Sequence, residues 1–115
     1  MRIRALLVVL FLTGVAAPLA ADARSDAKKQ VEFGIRVSQR GLWKEAIFWW
    51  QRATEVDPTY AQAFNNLAIA YEQEGELDKA RDAYEKALKL EPDNAFIKQN
   101  YELFREINDR TSPSR

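Results

Sequence analysis

Residues 61–94 read AQAFNNLAIAYEQEGELDKARDAYEKALKLEPDN, and this stretch decides the fold. The same pattern of small, aromatic and turn residues occurs 34 positions earlier, in residues 27–60. The matched pairs are Phe33/Leu67, Gly41/Gly75, Ala46/Ala80, Trp50/Tyr84, Ala53/Ala87 and Pro58/Pro92. A fixed period of this length is typical of a helical repeat array. Such arrays present a concave surface to a partner, so the pattern favours binding over catalysis and leaves the partner unnamed.

Helical periodicity predicts five helices separated by turn residues. They span residues 27–41, 42–57, 61–74, 77–90 and 95–108, with a polar lead-in at 24–26 and a polar tail at 109–115. The residue before a proline is pushed out of the helical region, so Pro58 and Pro92 end the second and fourth helices. Gly75 suits the left-handed residue that closes a helix.

Small residues at fixed positions predict close packing of the two helices in each pair. The predicted small contact positions are Gly34, Ala46, Ala53, Ala68, Ala80 and Ala87. Large neighbours, chiefly Trp50 and Tyr84, fill the space beside them. Trp43 matches Leu77 and is predicted to belong to the core as well.

These positions resemble the tetratricopeptide repeat, and residues 61–94 match its motif closely, including Asn65-Asn66-Leu67-Ala68. Residues 27–60 depart more, at Gln30 and Val37. The resemblance implies an all-α fold, a right-handed superhelical array of antiparallel helix pairs. Residues 27–60 and 61–94 form its two units, and 95–108 form a C-terminal capping helix. Phe96, Leu103 and Ile107 make that cap more apolar than usual, and self-association would be one remedy for so short an array.

The first 23 residues have the three-part layout of a secretory signal peptide. A basic start precedes the apolar run at residues 5–17, and Ala21-Asp22-Ala23 supplies a cleavage site after Ala23, with Ala20 and Ala21 as alternatives. An uncleaved membrane anchor is the other interpretation, but the run is shorter than the ~20 residues that a spanning helix needs. We expect export, to a Gram-negative periplasm or by secretion elsewhere. With no cysteine, lipid anchoring and disulfides are not expected.

The composition argues against an enzyme and against a metal or cofactor site. The absence of histidine and cysteine removes the usual general base, the thiol nucleophile and most transition-metal ligands. Carboxylate pairs such as Glu72/Glu76 fit solvated helix faces. Removing Arg2, Arg4 and Asp22 with residues 1–23 changes the formal net charge from 0 to −1. We therefore expect neither nucleic acid nor, after cleavage, membrane as a partner.

The resemblance implies that the first helix of each pair lines an inner groove. The predicted groove residues are Val31, Ile35, Asn65, Asn66, Ile69, Gln73, Gln99 and Leu103. Ile35, Ile69 and Leu103 would form an apolar stripe, flanked by side-chain amides that can both donate and accept hydrogen bonds. Acidic residues outnumber Lys28 there, so we expect a protein or extended peptide that is apolar and neutral or basic. Alternatively, the Asn66 side chain hydrogen-bonds to nearby backbone groups, and the apolar stripe belongs to the packing between the helices. Binding of a C-terminal carboxylate, known in some relatives, is not expected because only Asn66 fits that arrangement.

A second candidate surface is the outer aromatic pair Phe48 and Trp49. They stand opposite Asp82 and Ala83 in the other repeat, which predicts exposed positions. Large exposed aromatics are typical of contact surfaces. This pair therefore suggests an alternative function, a structural or self-assembling subunit of an envelope complex, with a possible homo-oligomer. Contact with the N-terminal lead-in, or a single scattered aromatic, would explain it equally well.

Overall fold

The computed structural model describes residues 19–111, which fold into helices without any strand in that range. The helices are α1 (Leu19–Gln39), α2 (Trp43–Val56), α3 (Ala61–Gln73), α4 (Leu77–Leu90) and α5 (Ala95–Thr111). The helices α1 and α2 pack as one pair, α3 and α4 as the next, and α2 joins the two pairs by packing on α3. The predicted all-α array of helix pairs followed by a terminal helix is confirmed.

The turns within the two pairs are closed by the same glycine motif. Gly41 has φ 76° and Gly75 has φ 73°, a left-handed conformation that glycine adopts without steric cost. At the first turn, the Gly41 N–H donates to Ser38 O at 2.9 Å and the Leu42 N–H donates to Val37 O at 3.2 Å. The second turn repeats both bonds, so each first helix ends in a Schellman motif.

The first helix begins earlier than the sequence predicts. The described part of α1 begins at Leu19, so residues 24–26 are helical and are not a lead-in to the helix. Within this stretch, Arg24 lies one turn before the buried Ala27 and is held by Asp57 at the far end of α2. The helix α5 likewise continues to Thr111, past the predicted end at 108. The apolar run of the predicted signal peptide lies outside the described residues.

The core is built from large rings set against small side chains. Trp50 is 3% exposed and Tyr84 is 1% exposed, and the alanines at the predicted contact positions are fully buried. A Cβ added to Gly34 would lie 2.3 Å from Nε1 of Trp50, so the wider indole occupies space that any larger residue at position 34 would need. In the second pair, the corresponding residues are Ala68 and Tyr84, and the ring of Tyr84 is narrower than the indole. Trp43 is half-buried against this core.

The helix α5 covers the end of the core with a polar outer face. Three positions of α5 correspond to core positions of α3, as Lys98/Phe64, Glu102/Ala68 and Arg105/Tyr71. The α5 member of each pair is exposed. The expectation of an apolar cap was therefore wrong for the outer face, because Phe96, Leu103 and Ile107 lie on a different side of the helix. At 100° per residue, these three fall within about 40° of one another.

Candidate functional site

The first helices α1, α3 and α5 lie side by side and share one surface, which we call the inner face. The helices α1 and α3 are in contact, and the Asn100 side chain of α5 donates a hydrogen bond to Asn65 Oδ1 of α3 at 3.2 Å. The predicted apolar stripe lies on this face, but its exposure is graded. Ile35 and Ile69 are half-buried against the core, whereas Leu103 is 55% exposed.

Two of the predicted groove residues are structural. Val31 is 2% exposed, and its carbonyl accepts a hydrogen bond from the Trp50 indole at 3.1 Å, so its side chain does not line a groove. Asn65 is buried and bridges α3 to α5 through Asn100. Asn66 is half-buried, and Gln73 and Gln99 are exposed on the inner face.

A cleft of about 680 Å³ opens where the inner face meets the turns before α3 and α5. Its lining includes Arg24, Tyr60, Asn66, Glu91, Asn94 and Phe96. Phe96 is 79% exposed at the rim, which places an apolar contact next to polar walls. Asn94 Oδ1 accepts the Ile97 N–H at 3.2 Å and so holds the first turn of α5. The cleft thus combines one exposed ring, side-chain amides and charges of both signs.

Arg24 organises one wall of the cleft. Its Nε lies 2.5 Å from Asp57 Oδ2, its Nη2 donates to Thr59, and its guanidinium lies 4.6 Å from the centre of the Tyr60 ring. Burial alone would raise the pKa of Asp57, but hydrogen bonds from Thr59 and Arg24 outweigh it and hold that pKa below the ordinary value. The pKa of Tyr60 is raised, chiefly by burial. This ion pair ties the start of α1 to the turn that leads into α3.

Arg24 is not among the predicted site residues, because the sequence predicts a polar lead-in at residues 24–26. A signal was available in the spacing of Arg24, Ala27 and Val31, at intervals of three and four residues. That spacing places all three on one helix face, and the last two are buried.

The outer aromatic pair lies on α2, away from the inner face. Trp49 is half-buried rather than fully exposed, because its ring packs edge-on against Phe33 of α1 with centroids 4.5 Å apart. Phe48 is 52% exposed and contacts Trp49 at 5.2 Å. Residues 19–111 contain no cluster of acidic, histidine or cysteine side chains suited to a metal ion. Over the same range, no helix has the length and apolarity to cross a membrane.

The family model described as tetratricopeptide repeat matches residues 61–94, and the model described as TPR repeat matches residues 38–75. Together with the fold, these matches show that the chain belongs to the tetratricopeptide repeat proteins. Repeats of this class generally serve protein–protein interaction, with a protein or peptide as partner.

Among particular relatives, the type IV pilus assembly protein PilF of Pseudomonas aeruginosa is 32% identical over 111 residues, which covers 88% of this chain and 44% of PilF. The protein O-mannosyl-transferase TMTC4 of Mus musculus is 37% identical over 60 residues, covering 52% of this chain and 8% of that protein. The uncharacterized protein ycf37 of Guillardia theta is 30% identical over 70 residues, covering 61% and 39%. The chain spans less than half the length of each of these relatives.

Proposed function

We propose that this chain is a non-catalytic adaptor of the cell envelope that binds a segment of a partner protein across its inner face. The observation that carries the proposal is the exposed stripe that Phe96 and Leu103 form along α5. The fold does not need these side chains, because Ile97 and Phe104 make the buried contacts of that helix. Apolar side chains left in water beside polar neighbours mark a contact surface.

The chemistry of the inner face favours a partner segment that is extended, apolar, and neutral or basic. The half-buried Ile35 and Ile69 continue the stripe across α1 and α3, so an extended segment would meet an apolar side chain on each helix. Exposed Glu32 and Glu106 outnumber Lys28 on the flanks. Gln73, Gln99 and Asn66 can pair with the backbone of such a segment.

Envelope location rests on two supports. Residues 1–23 have the layout of a signal peptide. The relative PilF of Pseudomonas aeruginosa is named as a type IV pilus assembly protein. We infer export to a Gram-negative periplasm, with binding to protein rather than to nucleic acid or membrane and with no catalysis of its own.

The test compares two glutamate substitutions on opposite sides of α5. Partners captured from a native envelope extract are identified by mass spectrometry, and one purified partner is then titrated calorimetrically. We expect Leu103→Glu, on the inner face, to weaken binding by at least about tenfold, or 1.4 kcal/mol. Lys98→Glu, on the outer face of the same helix, serves as the matched control and should leave the affinity within about twofold. Equal affinities for both variants would refute the inner-face proposal.

The second candidate function is a structural or self-assembling subunit that docks through Phe48 and Trp49. This function is favoured by the exposure of Phe48 next to Trp49, whose ring packs on Phe33 of α1. Sedimentation of the protein over a concentration series would then show oligomers that Phe48→Glu converts to monomers. A monomer at every concentration would refute self-assembly.

A further inference from the structure

A groove on the outer side of the first pair combines cations with aromatic rings. We call it the basic–aromatic groove, formed by Lys29, Gln30, Phe33 and Arg36 of α1 with Trp49 and Arg52 of α2. It encloses about 570 Å³ and shares no residue with the cleft on the inner face. Its rings are continuous, because Phe33 packs on Trp49 and Trp49 on Phe48.

The internal repeat shows that the fold does not require these rings. The corresponding groove of the second pair has Ala83 where Trp49 stands and Asp82 where Phe48 stands. The second pair packs a complete core without an aromatic residue at either position. The two rings are therefore additions to one repeat. Trp49 packs in part on Phe33, and with the exposed Phe48 it forms an aromatic surface of the kind found at binding sites.

The charges of the basic–aromatic groove select for an acidic occupant. Lys29, Arg36 and Arg52 line it, against a single carboxylate from Asp26. The Lys29–Asp26 pair is 4.0 Å apart with both side chains largely exposed, so it holds Lys29 only weakly, and the groove keeps an excess of two positive charges (three cations against one carboxylate). The guanidinium of Arg36 lies 5.3 Å from the centre of the Phe33 ring, which sets a cation directly over the aromatic wall.

Gln30 adds a side-chain amide that can form a hydrogen bond with a peptide backbone. Its Oε1 is buried and accepts no hydrogen bond from any residue in the range 19–111. A rotation that brings this amide to an incoming N–H group would therefore break no existing bond at that oxygen. A buried acceptor without a donor is unfavourable, so such a rotation is favoured when a donor arrives.

We propose that the basic–aromatic groove binds an acidic peptide segment that carries one aromatic side chain. The ring of the segment packs on Trp49, its carboxylates face Lys29 and Arg52, and a backbone N–H reaches the Gln30 amide. This inference deepens the second candidate function, on which it rests, by giving the chemistry of the docking partner. It is independent of binding on the inner face.

The test uses nuclear magnetic resonance to follow the indole N–H signals of the three tryptophans in the ¹⁵N-labelled protein, which is purified in the form that cells produce from the full sequence. The probes are three synthetic peptides: glutamates flanking one phenylalanine, the same peptide with lysines for glutamates, and the acidic peptide with alanine for phenylalanine. The Trp49 signal is assigned by its loss in Trp49→Phe. The Trp50 indole, bonded to Val31 inside the core, serves as an internal reference.

We expect the acidic phenylalanine peptide to shift the Trp49 signal and to leave that of Trp50 in place. Arg52→Glu should weaken this binding by at least about tenfold, and Lys29→Glu should weaken it in the same direction. Lys86→Glu, at the matching position of the second repeat, should change it by less than about twofold. The lysine and alanine peptides should bind more weakly than the acidic phenylalanine peptide.

Three results would overturn the proposal. Equal shifts from the acidic and lysine peptides would show that the groove does not select charge. A loss of the shift in Leu103→Glu would place the peptide on the inner face, which would support the main function and remove this one. A Trp49 signal that moves with protein concentration and not with any peptide would identify a second copy of the chain as the occupant.

Discussion

Replacing Gly34 by alanine tests the central packing contact of the first pair. The added Cβ would lie 2.3 Å from Nε1, 2.7 Å from Cδ1 and 2.8 Å from Cε2 of Trp50. The ring must move by roughly 1 Å to regain ordinary contact distance. That movement breaks the 3.1 Å hydrogen bond from the indole N–H to Val31 O and leaves a buried donor unpaired.

The expected loss of stability follows from three effects of different sign. Overpacking costs about 1–3 kcal/mol, and the unpaired indole N–H costs about 1–3 kcal/mol. Alanine gains up to about 1 kcal/mol over glycine in a helix. The net free energy of unfolding should therefore fall by about 1–6 kcal/mol, and each kcal/mol corresponds to a Tm lower by roughly 4–8 °C for a domain of this size.

The second repeat indicates a second substitution that should restore stability to the Gly34→Ala variant. Its corresponding pair is Ala68 with Tyr84, so the double variant Gly34→Ala/Trp50→Tyr recreates a pairing that this chain already packs. We expect the double variant to be more stable than Gly34→Ala alone by at least about 1 kcal/mol, a coupling typical of residues in contact. Urea unfolding followed by far-ultraviolet circular dichroism measures the parent and both variants. A Gly34→Ala variant more stable than the parent, or a double variant without rescue, would refute the reasoning.

Three further predictions concern polar contacts and a turn. Arg24→Ala should lower the free energy of unfolding by about 1–3 kcal/mol at neutral pH, because Asp57 stays buried without its cation. Because the pKa of Asp57 is lowered in the folded state, its carboxylate stabilises the fold above about pH 4, and this stabilisation is lost as the pH falls through the folded-state pKa. The free energy of unfolding of Arg24→Ala should therefore depend less on pH in the acid range than that of the parent. The raised pKa of Tyr84, caused by burial and then by its bond to Glu72, means that stability should fall as the pH rises above about 10, and Tyr84→Phe should reduce that fall in alkaline melts. Gly75→Ala should cost about 1 kcal/mol in chemical unfolding, because φ is 73°.

The repeat spacing predicted most of the fold because its constraints are local. Glycines that must adopt positive φ, prolines that stop helices, and alanines that permit close approach each act within a few residues of their own position. Trp50 and Tyr84 were placed in the core by the register alone, and both are buried. The role of Arg24 could not be found this way, because its partner Asp57 lies 33 residues away along the chain; the local spacing of Arg24, Ala27 and Val31 indicates only that the three share a helix face.

The candidate site was less predictable, because the repeat register indicates the helix face on which a residue lies but not how far its side chain is buried. Val31 and Ile35 both follow the inner-face pattern, yet Val31 is 2% exposed and Ile35 is only partly buried. Trp49 matches Ala83, a position that the motif leaves open, and its half-burial depends on Phe33, which is larger than its counterpart Leu67. Burial at these positions depends on which residue stands across the helix pair, and the repeat motif does not specify that residue.

Under the two binding proposals above, the repeats contribute different surfaces through the residues in which they differ. The second pair follows the motif closely and, with α5, carries the polar cleft and the exposed stripe through Phe96 and Leu103. The first pair differs from the second at Gly34, which matches Ala68, and at Trp49, which matches Ala83, and Trp49 lines the basic–aromatic groove. Because the inner face is flanked by acids and the groove by cations, the two surfaces favour partners of opposite charge. A single short array could then bring together a neutral or basic segment and an acidic one without any change of conformation.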